Sequence, residues 1–344
     1  MNLLHSHSPF RIFAFSTVST LAILVAVFFG LGWSALITTL ILVVIEITFS
    51  FENAIINAKV LTTMSRFWQN MFLTVGIVIA VFGMRIIFPI AVVAIATGLS
   101  WQSVLDLSLN NPEEYSAQLE AAYPSISAFG GAFLLMLAGS FFFDPSRKVL
   151  WFKKPERLLQ KFSSRWTAAM LTAGVLGVVA LLGSHTKDTL TAGAVGIVTF
   201  MAIHGLSEFF GKLQSSSNKS KIVQKTGFAA FMTFMYLELL DASFSLDGVI
   251  GAFAITDQVL LIAAGLGAGA LWVRSMTVFI VRKGTLQRYK YIDHGAHYTV
   301  LVLAFILLLS GIVHIPEAFA GVAGIILIVS SIVMSGKSSV QKTK

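Results

Sequence analysis

Blocks of apolar residues, most of them long enough to cross a bilayer, follow one another along this chain with short polar stretches between them. They predict ten helices, at roughly 12–31, 34–58, 70–97, 126–143, 166–183, 191–210, 227–253, 259–281, 291–313 and 318–335, because about 20 residues at ~1.5 Å rise each cross the hydrocarbon core. Met1–Phe10 is polar, and no small-residue cleavage site follows the next apolar run. Ile12–Gly30 therefore reads as a retained first span and not as a removed leader. The fold class expected is all-α, a polytopic membrane protein forming a single integral membrane domain over 1–344.

The loops orient these helices. Arg11 precedes the first span, Lys59 and Arg66 follow the second, and the basic run from Arg147 to Arg165 follows the fourth. Lys212, Lys219, Lys221 and Lys225 follow the sixth, Arg282, Lys283, Arg288 and Lys290 the eighth, and Lys337, Lys342 and Lys344 close the chain. With ten spans all of them fall on one side. The opposite loops hold only Lys187, and their longest, Leu99–Ser125, is acidic. The positive-inside rule then places both termini in the cytoplasm of a cell (inner) membrane protein.

Composition agrees. Only 12% of the 344 residues are charged, against about 25% in soluble domains, and mean hydropathy is +0.84. The absence of cysteine removes disulfides, thiolate metal sites and thiol catalysis. The net charge of +8 sits in short loops, where topology accounts for it, so the lipid bilayer is the expected partner and nucleic acid is not.

Two polar segments interrupt the apolar pattern and match each other. The second span carries Glu46, Ser50, Glu52, Asn53 and Asn57; the seventh carries Glu238, Asp241, Ser245, Asp247 and Gly248. Both read acid-x-x-x-Ser-x-acid with Phe before the Ser. In the next span of each half, Gly76 precedes Arg85 by the interval that separates Gly265 from Arg274. Two matches in the same order indicate a duplication, 12–183 (spans 1–5) and 191–335 (spans 6–10). The predicted topology runs the second and seventh spans in opposite directions. Inverted repeats are a recurrent plan of secondary transporters, with the binding site near the midplane between the halves.

The chemistry of these segments is that of oxygen ligands. A carboxylate in a bilayer costs about 2.5–3.5 kcal/mol on insertion scales, so five would cost on the order of 10 kcal/mol or more unless compensated. Arg85 and Arg274 are the basic residues well inside spans; either could snorkel, but Arg85 lies about 15 residues into its helix, which favours a carboxylate partner. Two positive charges do not neutralise five negative ones, which favours a cation site, a proton relay, or both. On one helix Glu46, Ser50, Asn53 and Asn57 share a face, with Glu52 roughly 120° away, and Asp247 is likewise out of line with Asp241. Either the helices break near Ser50–Asn53 and Ser245–Gly248, or wide polar faces meet neighbouring helices. Carboxylate, amide and hydroxyl oxygens suit Mn²⁺, Ca²⁺ or Mg²⁺.

Secondary candidates are His204 with Glu208, one turn apart in the sixth span, as a second metal or proton site or a simple hydrogen-bonded pair, and His294 with His297 beside Asp293, as a pH-sensitive gate or entry site or as interfacial residues. The Gly265-x-Gly267-x-Gly269 run lies in an apolar helix and reads as a packing surface, not a phosphate loop.

The two acidic segments resemble those of the TerC family of integral membrane proteins, within the LysE-type transporter group. The resemblance rests on Glu46…Glu52-Asn53-Ala54 and on Asp241-Ala-Ser-Phe244-Ser245-Leu246-Asp247, and covers about a third of the chain. It implies metal-ion transport, most often manganese export, with links to tellurite resistance and, in relatives, to calcium. By motif position it makes Glu46, Glu52, Asn53, Asp241 and Asp247 the metal-site candidates. Glu52 stands where the family has Asp, and Gly248 where it has Ser, so the chain resembles a divergent branch. The function expected is a divalent-cation transporter with no resident cofactor. The alternatives are a calcium or other cation/proton exchanger, and a non-transporting membrane scaffold in metal or tellurite stress. No hydrolytic triad or HExxH is present, so an enzyme is not expected.

Overall fold

A computed structural model describes residues 9–164, 166–216, 224–253, 255–313, 315 and 317–340. The described residues form helices and one isolated parallel bridge, Met64 to Lys225. In chain order these are α1 (Pro9–Phe49), α2 (Phe51–Leu61), α3 (Arg66–Val78) continued by a π-helical stretch (Ile79–Ile87) into α4 (Phe88–Thr97), α5 (Trp101–Asn110), α6 (Pro112–Phe142) and α7 (Lys153–Lys161). There follow α8 (Thr167–Leu182), α9 (Thr186–Ser216), α10 (Gly227–Phe253), α11 (Val259–Arg282), α12 (Thr285–Arg288), α13 (Ile292–Leu309) and α14 (Glu317–Val340).

Eight helices among the described residues are long and apolar enough to cross a membrane. Two features separate this count from the ten expected. The first predicted span and most of the second, up to Phe49, run on as α1 through Gly32, whose φ of 86° is open to glycine and strained for other residues. The fifth, α8, is apolar but has 16 residues. Outward-facing Phe29, Ile95, Leu181 and Leu182 are each more than two-thirds exposed, which in a chain of such helices is the surface that meets lipid.

One expectation fails. The acidic stretch 99–125 is not a loop but forms α5 and the first turns of α6. Tyr115, Leu119, Ala122 and Ile126 recur there at helical spacing and are buried, while Glu113, Glu114 and Glu120 face outward. A search for unbroken apolar runs passes over such an amphipathic helix, whose signal is periodicity.

α1 and α2 pack along α11, and α10 packs against α9, α6 and the π-helical stretch. Glycines permit the closest of these approaches. A Cβ on Gly265 would lie 2.5 Å from the Leu42 Cβ, one on Gly269 would lie 2.5 Å from the Glu46 Cβ and Cγ, and one on Gly76 would lie 2.8 Å from a Glu238 carboxylate oxygen. Gly269→Val is therefore expected to destabilise the protein by about 1–3 kcal/mol, the usual range for overpacking, read as a lowered melting temperature in detergent.

Candidate functional site

The site begins where the second predicted span breaks. Ser50 leaves the helical path (φ −108°, ψ 16°), ending α1 and starting α2. Its hydroxyl caps neither helix. It donates 2.9 Å back to Glu46 Oε1. The break sets the carbonyl end of α1 beside the N–H end of α2 and puts Glu52 in the first turn of α2, where the helix dipole favours a carboxylate. The matching position in the second acidic segment does not break, since α10 is continuous through Ser245 and Gly248.

Each intramembrane arginine pairs with one of the two acidic segments. Arg85 Nη2 donates 2.5 Å to Glu46 Oε1, with both side chains buried. Arg274 Nη2 lies 3.2 Å from Asp241 Oδ2 and 3.4 Å from both Glu238 oxygens, donates 3.3 Å to the Gly76 carbonyl, and stacks over the Phe72 ring at 3.7 Å. Asn53 Nδ2 donates 2.6 Å to Asp241 Oδ1, joining the two acidic segments directly. Glu52 is buried, and among the described residues no basic side chain lies within ion-pair distance of it. Two guanidinium groups thus face four buried carboxylates, leaving two charges uncompensated when all four are ionised.

Glu46, Ser50 and Glu52 line a partly enclosed cavity of about 30 Å³. One water needs about 10–15 Å³, so the space suits one or two waters or a partly dehydrated ion. Thr299 of α13 also lines it; Phe49, Phe244, Gly248, Leu303 and Gly321 are among the remaining walls. Phe49 and Phe244 are the aromatics that precede Ser50 and Ser245 in the matching segments, so residues equivalent by sequence line one cavity. Buried atoms without hydrogen-bond partners include Asn53 Oδ1, Asn57 Oδ1 and Ser245 Oγ in these segments, and Arg85 Nε and Nη1 and Arg274 Nη1 on the arginines that face them.

Of the candidates Glu46, Glu52, Asp241 and Asp247, the first two line the cavity. Asp241 is turned to Arg274 and Asn53 and is absent from the cavity wall. The Asp247 side chain lies outside the described residues. Among the described residues no group of three His, Asp or Glu side chains stands ready to hold a metal. Any cation in the cavity draws on hydroxyl or backbone oxygens as well as acids, or displaces a guanidinium.

The histidines lie elsewhere. His204 and Glu208 form a 3.4 Å pair, partly exposed on α9. His294 and His297 sit in a separate cluster at the start of α13. His297 bonds the Asp293 carbonyl at 2.7 Å and stacks on Phe141, and Asp293 is bridged by Lys59 at 2.7 Å. His294 contacts Arg147 at 3.0 Å and Glu156 at 3.3 Å.

Glu156, fully buried on the loop helix α7, accepts from the Trp151 and Phe152 backbone N–H groups and from the Tyr298 hydroxyl. Burial alone would raise its carboxyl; the His294 hydrogen bond, the Phe152 N–H and the charges of His294 and Arg147 outweigh that and hold it below the ordinary value of 4.5. A carboxyl lowered on folding stabilises the fold fully above its ordinary value, and that contribution disappears as pH falls through the lowered one. Melting temperature is accordingly expected to fall on acidification below about pH 4.5 in the parent, with a smaller acid-dependent fall in Glu156→Gln.

The fold and the buried charges define a multi-pass helical membrane protein with a polar, ion-paired interior. The chain belongs to DUF475, a family of proteins of unknown function, which matches residues 51–341. No curated protein and no solved structure matches it.

Proposed function

We propose that this protein is a membrane transporter of a divalent metal cation, with manganese export as the leading case and calcium next, moving its cargo through the Glu46–Glu52 cavity. The observation that carries the reading is Glu52: a buried carboxylate, with no basic side chain beside it among the described residues, on a cavity of ionic size at a helix break. Buried intramembrane acids without counter-charge mark ion or proton pathways, and broken helices are where transporters expose backbone to ions.

The resemblance to TerC-like proteins points the same way. So does the oxygen-only donor set, which suits hard cations. In this reading Glu46, Glu52, Asn53, Asp241 and Asp247 form the metal pathway, with protons exchanged on the same carboxylates. Arg85 and Arg274 are tethered counter-ions that neutralise Glu46 and Asp241 when no metal is bound. The inverted repeat is supported by the parallel arginine–acid pairs and by the reciprocal glycine contacts, Gly76 on Glu238 and Gly265 on Leu42. Counting α1 twice across Gly32 and including α8 brings the spans to ten, with both termini cytoplasmic by loop charge.

The test is flux. Purified protein in liposomes is offered Mn²⁺, Ca²⁺, Mg²⁺ and Zn²⁺, with and without a pH gradient. Saturable movement of Mn²⁺ or Ca²⁺ that is lost in Glu46→Gln supports the reading. Absence of flux for every ion, or a Glu46→Gln protein that transports like the parent, defeats it and favours the scaffold.

A further inference from the structure

Thr299 belongs to neither acidic segment, yet it faces the same cavity from α13. It is 3% exposed. Its hydroxyl donates 3.0 Å to the Gly295 carbonyl one turn back. A hydroxyl whose hydrogen is committed in this way presents only lone pairs to its surroundings. Ser50, whose hydrogen goes to Glu46, is in the same state across the cavity. The Thr299 methyl is held too. It packs over Gly324 of α14, where a Cβ would lie 2.8 Å from the Thr299 Cγ2. The rotamer is thus fixed at both branches, on a residue that lines an ion-sized space.

The donor set gives this oxygen work to do. Hard divalent cations take about six to eight oxygens. The cavity wall supplies the Glu46 and Glu52 carboxylates, and no third acid or histidine joins them among the described residues. Neutral oxygens have to complete the shell.

We infer that Thr299 is a specificity-determining oxygen of the cation site, contributed by α13 and positioned by the Gly324 notch. The inference rests on the transport reading above. It makes α13 a third wall of the site beside the two acid-bearing segments, so separation of α13 from α2 opens the shell.

The decisive comparison is Thr299→Val against Thr299→Ser in the full chain. Valine keeps the methyl over Gly324 and deletes the oxygen; serine keeps the oxygen and deletes the methyl. Mn²⁺ binding to detergent-purified protein is followed by electron paramagnetic resonance, and Mn²⁺ flux is followed in liposomes. Thr299→Val is expected to raise both the Mn²⁺ Kd and KM by about tenfold or more, the scale on which groups around metal ligands act, and to alter the ranking of Mn²⁺ against Ca²⁺. Thr299→Ser is expected to stay within about threefold of the parent, well below that tenfold scale.

A purely structural threonine would give the reverse order, since valine preserves the packing and serine does not. Should Thr299→Val fail to fold, Thr299→Ala against Thr299→Ser carries the same contrast, both lacking the methyl. A parent that binds and transports Mn²⁺, with Thr299→Val indistinguishable from it, overturns the role of Thr299 alone. A parent that neither binds nor transports any of the ions overturns this role and the transport reading together.

Discussion

Glu52→Gln is expected to abolish metal flux while leaving the protein folded. Every other buried acid among the described residues of the site is tied to an arginine, and Glu52 is not. An ionised carboxylate held out of water without a counter-charge is unfavourable, and the amide relieves that penalty in nearly the same volume. Melting temperature should therefore stay level or rise. Flux should fall by more than about 100-fold, beyond the 10–100-fold usual for groups that only support metal ligands. The two readouts moving apart is the signature of a functional carboxylate. If flux and stability both match the parent, Glu52 is a tolerated polar residue and the cavity is not the pathway.

Arg274→Gln is expected to produce the largest loss of stability of any single change in the site. It removes the cation shared by Glu238 and Asp241 and leaves the Gly76 carbonyl without this donor. Breaking a buried pair by removing one partner costs about 3–5 kcal/mol because the other charge stays buried and unpaired. Arg85→Gln strands one carboxylate, Glu46, and should cost less. The diagnostic is the double mutant. Arg85→Gln with Glu46→Gln should recover most of the stability lost in Arg85→Gln alone, because no charge is left stranded. Arg274→Gln should recover only in part with Asp241→Asn, since Glu238 remains. Thermal melts in detergent measure all four, and additive losses in the Arg85–Glu46 pair would show that the two side chains do not compensate each other.

Much of the site's composition was legible in the chain. Charges inside apolar runs stand out because water is absent there and every such group demands a partner or a purpose. That reasoning picked out Glu46, Glu52, Glu238 and Asp241 as buried acids and predicted carboxylate partners for Arg85 and Arg274, as found. It did not reach Thr299. A lone threonine in an apolar helix carries no signal, because threonine can satisfy its hydroxyl on its own helix and is at home in lipid. The misfit between Glu46 and Glu52 on one helical wheel offered a helix break as one of two readings, and the structure takes it at Ser50. The same misfit at Asp241 and Asp247 leaves α10 unbroken, so the pattern alone did not say which half would yield.

The sequence by itself determined that this protein lies in a membrane as a set of helices, where most of them fall, and which charges are carried inside. Those properties follow from the transfer energy of each residue, which is local and needs no partner. Only the tertiary structure decided which arginine holds which acid, that Asn53 reaches Asp241 in the second acidic segment, and that Glu52 is left beside a cavity walled by Phe49, Phe244 and Thr299. Those outcomes depend on how closely helices far apart in sequence approach, through glycines such as Gly76, Gly265 and Gly269. A hydropathy pattern records how much each residue favours lipid over water and nothing about which residue it will meet.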